Sequence, residues 1–123
     1  MPRRRLLTDQ QRSAFQSLPH PHDFHLIARY YTLSDEDHEL IARQSYPAYQ
    51  FSLALHLCYL RYPGRVWKID EIPPDYLVNT IGEQLQLPAT TLAHYDPYSS
   101  NRRNQLQLLR QEYGFRRSNI IHS

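Results

Sequence analysis

Apolar positions along this chain fall into clusters of helical spacing, punctuated by proline. The densest cluster runs from Phe51 to Leu60, where Ser52 and His56 are the only polar residues. A helix that is apolar on every side must be buried on every side. A helix from about Tyr46 to Arg61 is therefore expected at the centre of the molecule. Tyr62 precedes Pro63 and is pushed out of helical backbone, and Gly64 permits a sharp reversal, so the helix stops there.

Shorter amphipathic segments surround it. Thr8-Asp9-Gln10-Gln11 reads as a capping box opening a helix that presents Ala14, Phe15 and Leu18, ended by Pro19 and Pro21. A second helix begins near Asp23, with Leu26, Ile27, Tyr30 and Tyr31 on one side. Ser34 caps a third, whose first turn Asp35-Glu36-Asp37 suits the positive end of the helix dipole. After a loop through Trp67 to Pro73, Pro74 starts a helix over 75–86 that carries Leu77, Val78, Ile81 and Leu85 at helical period. A short helix over 89–95 follows Pro88. The last is capped by Ser99 or Ser100, carries Leu106, Leu109 and Tyr113, and stops at Gly114. The pattern predicts an all-α fold of about seven helices with no strand. We divide it into an N-terminal helical part, 1–68, a C-terminal helical part, 69–115, and a tail, 116–123.

Composition narrows the picture. The length of 123 residues allows one domain or two small helical units. Nine Pro against three Gly fits helices broken by proline. Cys58 is the single cysteine; it lies on the apolar helix and reads as a buried thiol. Neither a secretory leader nor a membrane-length apolar run is present, so a cytoplasmic location is expected.

The net charge of +2 conceals segregation. Arg3, Arg4, Arg5 and Arg12 form one basic island; Arg61, Arg65 and Lys68 form a second. Arg102, Arg103, Arg110, Arg116 and Arg117 form a third. The stretches 20–44 and 69–98 between them are acidic. Clustered cations in an otherwise acidic chain point to a polyanion-binding face. The plain alternative is solvated charge at helix ends.

Few constellations could carry chemistry. Residues 77–95 have the outline of a helix-turn-helix, with Gly82 where two helices cross and Leu85, Leu87 and Leu92 closing the angle. Thr90, Thr91 and His94 would then face a DNA groove. Against this, Gln86 stands where glycine usually makes the turn, and the would-be reading helix lacks Arg, Lys and Asn. Arg102 and Arg103 sit in the first turn of the last helix, where cations oppose the macrodipole. Something negative must compensate, either a DNA phosphate or nearby Asp96. His20, His22 and His25 lack metal-ligand spacing, His56 and Cys58 point in different directions on their helix, and Asp35-Glu36-Asp37 reads as dipole complement. No metal, cofactor, small-molecule substrate or membrane partner is expected.

LTDQQRSAF near the start, YYTLSDEDHELI, LALHLCYLRYPGR, the IGEQLQL-to-AHY hairpin and the closing RR-N-x-L-x-x-L-x-x-x-YGF together resemble one family, the N-terminal region of the Tn-three-class transposases of replicative, cointegrate-forming transposons. The resemblance covers residues 1 to about 115, and the tail departs from it. It implies a helical, nucleoid-associated domain that binds double-stranded DNA at the transposon's terminal inverted repeats. It also implies that the acidic catalytic triad belongs to a distant domain absent here, so that no enzyme activity is expected. The phosphate-contacting residues would be Arg3, Arg4, Arg5, Arg61, Arg65, Lys68, Arg102 and Arg103, with Thr90, Thr91 and His94 as base contacts. Two rivals stand beside this reading. One is a module that assembles transposase subunits, for which ten Tyr would suit an interface. The other is a truncated regulator that occupies transposon ends.

Overall fold

Ten consecutive side chains, Phe51 to Leu60, are buried, so the helix that carries them needs a wall on every side. The computed structural model, which describes residues 18–114, supplies those walls from five other helices. In chain order they are α1 (Phe24–Tyr31), α2 (Asp35–Ala42), the central α3 (Pro47–Arg61), α4 (Asp75–Leu85), a 3-10 helix (Ala89–His94) and α5 (Ser100–Tyr113). Among the described residues there is no strand. The expected helix after Thr8 lies outside the described residues, apart from Leu18, which packs against the core. Each of the other elements touches α3.

The ends follow the local rules. Ser34 and Asp37 form a reciprocal capping box at the start of α2, Pro47 takes the first position of α3, and Ser99 caps α5 by accepting from the Asn101 N–H. Gly114 closes α5 at φ +72°, a left-handed conformation in which glycine carries no Cβ penalty. The turn after α4 is unusual. Gln86 occupies the left-handed region at φ 58°, where the sequence led us to look for glycine. Gly82 is fixed by crowding: a Cβ there would lie 2.8 Å from the Leu87 carbonyl oxygen and 3.6 Å from the Phe51 ring. Only glycine lets α4 turn back so closely across α3.

Buried and half-buried polar side chains hold the walls in register. From α4, Gln84 accepts from the Leu33 N–H (2.7 Å) and donates to the Tyr31 carbonyl (2.8 Å), pinning the link between α1 and α2. From α5, Gln105 donates to the Tyr49 carbonyl (2.8 Å) and meets Ser52 on α3. Each such bond is worth about 1 kcal/mol net, but an orphaned buried partner costs more. A third tie joins α2, α3 and α5. The Asp37 carboxylate is fully buried and receives Arg61 in a two-point pair (2.7 and 2.8 Å), the Tyr113 hydroxyl (2.5 Å) and the Ser34 N–H (2.8 Å).

Candidate nucleic-acid interface

Parts of the second and third basic islands approach one another at one edge of the fold, where Arg102 reaches the loop that carries Lys68. The loop after α3 is held rigidly: Arg65 forms a two-point pair with Glu71 (both 2.7 Å), and the Trp67 indole N–H donates to the Glu71 carbonyl at 2.8 Å. The Trp67 ring stacks between Tyr59 and Tyr95, with centroids 6.1 and 5.9 Å away. Its carbonyl accepts from the Arg102 guanidinium at 2.8 Å. That bond places exposed Lys68 beside the first turn of α5. A cavity of about 290 Å³ opens there, lined by Ile69, Tyr98, Ser99, Ser100, Arg102 and Arg103 among others.

Its electrostatics are one-sided. Asp96 forms no ion pair with either arginine; its carboxylate accepts from the Tyr98 N–H at 2.9 Å. Among the described residues neither Arg102 nor Arg103 forms an ion pair. No acid stands in the first turn of α5, so cations and the positive end of the helix dipole reinforce one another. Beneath them His56 is buried against Trp67, with Nε2 and the Tyr95 hydroxyl 3.2 Å apart. Burial, and secondarily the charge of Arg102, push its pKa down to about 3, so the imidazole is neutral at physiological pH. Cys58 is equally inert: burial raises its thiol to about 12.

The sequence candidates therefore separate. Arg102 and Arg103 share one cavity, and Arg102 reaches the Trp67 carbonyl next to Lys68. Arg61 and Arg65 do not join them as free cations: Arg61 serves Asp37 in the tie between helices, and Arg65 serves Glu71 in the loop. Arg3, Arg4 and Arg5 lie outside the described residues. Thr90, Thr91 and His94 stand on a six-residue 3-10 helix, shorter and tighter than the α-helix a helix-turn-helix places in a groove. They face a separate cavity of about 630 Å³, shared with Tyr46, Pro47 and Tyr49. Among the described residues no cluster of His, Cys, Asp and Glu could hold a metal ion.

Sequence reasoning named Arg103 as a contact and counted Arg110 in a basic island, but passed over Asn104, Gln107 and Gln111 on the same outer side of α5, where all five are exposed. Leu106 and Leu109, read as core, were the signal that could have placed these residues opposite.

These features sit in a chain with clear relatives. Residues 6–122 match the model of a domain of unknown function, DUF4158. The chain belongs to the DUF4158 family. The domain is 32% identical over 122 residues to a transposase for transposon Tn21 from Escherichia coli. It is also 33% identical over 110 residues to one for Tn501 from Pseudomonas aeruginosa, and 30% over 112 residues to one for Tn1546 from Enterococcus faecium. These alignments cover 99%, 89% and 91% of the chain but only 11–12% of each relative. The domain thus corresponds to a small part of a transposase, consistent with the N-terminal region that its motifs resemble. No solved structure matches it. No helix among the described residues is long and apolar enough to cross a membrane.

Proposed function

We propose that this domain binds double-stranded DNA within a transposase, holding the terminal inverted repeats of the transposon and contributing no catalytic group. The observation that carries the reading is Arg102 and Arg103 in the first turn of α5 with no ion pair among the described residues, Arg102 reaching the carbonyl of Trp67 next to exposed Lys68. Cations placed against a helix dipole cost stability unless an anion joins them, and a phosphate backbone supplies anions at regular spacing. Phosphate contacts set affinity and register, while base contacts choose sequence.

Binding to a labelled duplex across a salt series tests this. Each phosphate contact adds about 0.9 to the slope of log affinity against log salt. Lys68→Gln with Arg103→Gln, both exposed positions, should flatten the slope by about 1.8. An unchanged slope removes this corner from the footprint. A subunit-assembly role draws support from the cavity beside Tyr46 and Tyr49, since Tyr46 is 62% exposed. A mass shift in light scattering together with no DNA binding at low salt would select that role.

A further inference from the structure

We propose that α5, rather than the 3-10 helix, is the element that reads base edges, through Asn104, Gln107 and Gln111. This inference rests on the DNA-binding reading above and assigns specificity within it. The burial pattern of α5 fixes its orientation. Gln105, Leu106 and Leu109 are buried, and Arg102 and Tyr113 are half-buried on the same side. With about 100° per residue, Arg110, Arg103, Gln107, Gln111 and Asn104 then fall in that order within an arc of about 120° on the opposite side. All five are exposed. Asn104, Gln107 and Gln111 also line one shallow groove of about 330 Å³.

The chemistry of the arc is selective. Asn and Gln are the side chains whose amide matches the adenine N6 and N7 edge in the major groove, donating one hydrogen bond and accepting another. Arg103 and Arg110 line one edge of the arc about 10 Å apart along the axis, suitably placed for phosphates or guanine. The arc holds no acid: Glu112 lies outside it and meets Arg43 at 3.5 Å. A face built only for solubility ordinarily mixes both signs of charge, whereas this one carries amides, cations and the Ser100 hydroxyl with no acid. At about 21 Å, the helix is long enough to lie in a major groove about 12 Å wide. Its first turn is the cationic corner already described, so reading and anchoring would share one rigid element. The 3-10 helix offers no comparable face, because Thr90, Thr91 and His94 border an apolar cavity.

The test is selection from a randomised duplex library by the 123-residue chain, followed by affinity measurements on the selected duplex and a scrambled one. The wild type should enrich a motif containing adenine. Asn104→Ala, Gln107→Ala and Gln111→Ala should each lower discrimination at one or two adjacent base pairs by roughly 5- to 150-fold. Affinity for the scrambled duplex, the salt slope and the urea midpoint should stay unchanged. Replacing the motif's adenine with purine, which lacks the 6-amino group, should weaken the wild type and leave the matching variant indifferent. Retention of the motif by all three variants would overturn the assignment, as would its loss in Thr90→Ala or Thr91→Ala instead. Equal loss on both duplexes would also overturn it, as would a wild type that binds duplexes without preference; both leave DNA binding itself intact. A wild type that binds no duplex at low salt overturns the DNA reading and this inference together.

Discussion

Asp37→Asn should be among the most damaging single substitutions in the fold, although its sequence context marks it only as a complement to the helix dipole. The native carboxylate has no exposed surface and gathers four donors from Arg61, Tyr113 and Ser34. Breaking a buried ion pair from one side costs about 3–5 kcal/mol. The Arg61 side chain is 24% exposed and can regain some water, so the lower end, about 3 kcal/mol, applies. Against a total of about 5–15 kcal/mol for a domain, that is a large fraction. Followed by circular dichroism in urea, with a slope of about 1.5 kcal/mol per molar, the midpoint should fall by about 2 M. Arg61→Gln should lose a comparable amount, and the double variant should lose less than the sum, because the two act as one unit. The pair also leaves a signature in acid. Burial alone would raise the Asp37 carboxyl, but the hydrogen bonds from Arg61, Tyr113 and Ser34 outweigh it and hold the pKa at about 2, against 3.8 ordinarily. A depressed acid stabilises the fold above its unfolded pKa and loses that contribution as pH falls. About 2 kcal/mol should therefore disappear between pH 3.8 and 2, and this loss should be missing from Asp37→Asn. A midpoint shift under about 0.5 M in Asp37→Asn would refute the reasoning, since m-values of about 1–3 kcal/mol per molar make that at most about 1.5 kcal/mol.

Further outcomes are expected elsewhere. His56, held neutral by burial with a pKa of about 3 against 6.5 ordinarily, gives stability that is complete above pH 6.5 and erodes as pH falls toward 3. The loss is on the order of 5 kcal/mol, and His56→Gln should flatten denaturation midpoints across that window; an equally steep profile would count against it. Gly82→Ala should destabilise by about 1–2 kcal/mol despite alanine's better helix propensity, because its Cβ meets the Leu87 carbonyl at 2.8 Å; a stabilised variant would contradict that crowding. Gln86→Gly should do the opposite, raising stability by about 0.5–1 kcal/mol in thermal melts by relieving a left-handed backbone; a lowered melting temperature would contradict it.

The helices were legible in the sequence because their signals are local. The all-round apolarity of Phe51 to Leu60 announces burial, and Ser34, Pro47, Ser99 and Gly114 mark the ends. Partner choice was not legible. Asp37 and Arg61 are 24 residues apart, and each has a plausible local role that hides its distant one. Gln84 and Gln105 look like surface residues and are instead ties between helices. Nothing local reports that residues 89–94 wind as a 3-10 helix or that Gln86 accepts a left-handed turn. The same blindness divided the cations. Charge spacing groups Arg61, Arg65 and Lys68, but Asp37 and Glu71 take the first two, and Arg102 joins the third through Trp67.

Amide chemical-shift mapping of the isotope-labelled domain against a short duplex at low salt bears most directly on DNA binding through α5. Perturbations should concentrate on residues 100–111 and on Lys68 to Ile69, fade as salt is raised, and spare α1 and α2. Perturbations centred on the 3-10 helix or on α1, or none at all, would contradict it.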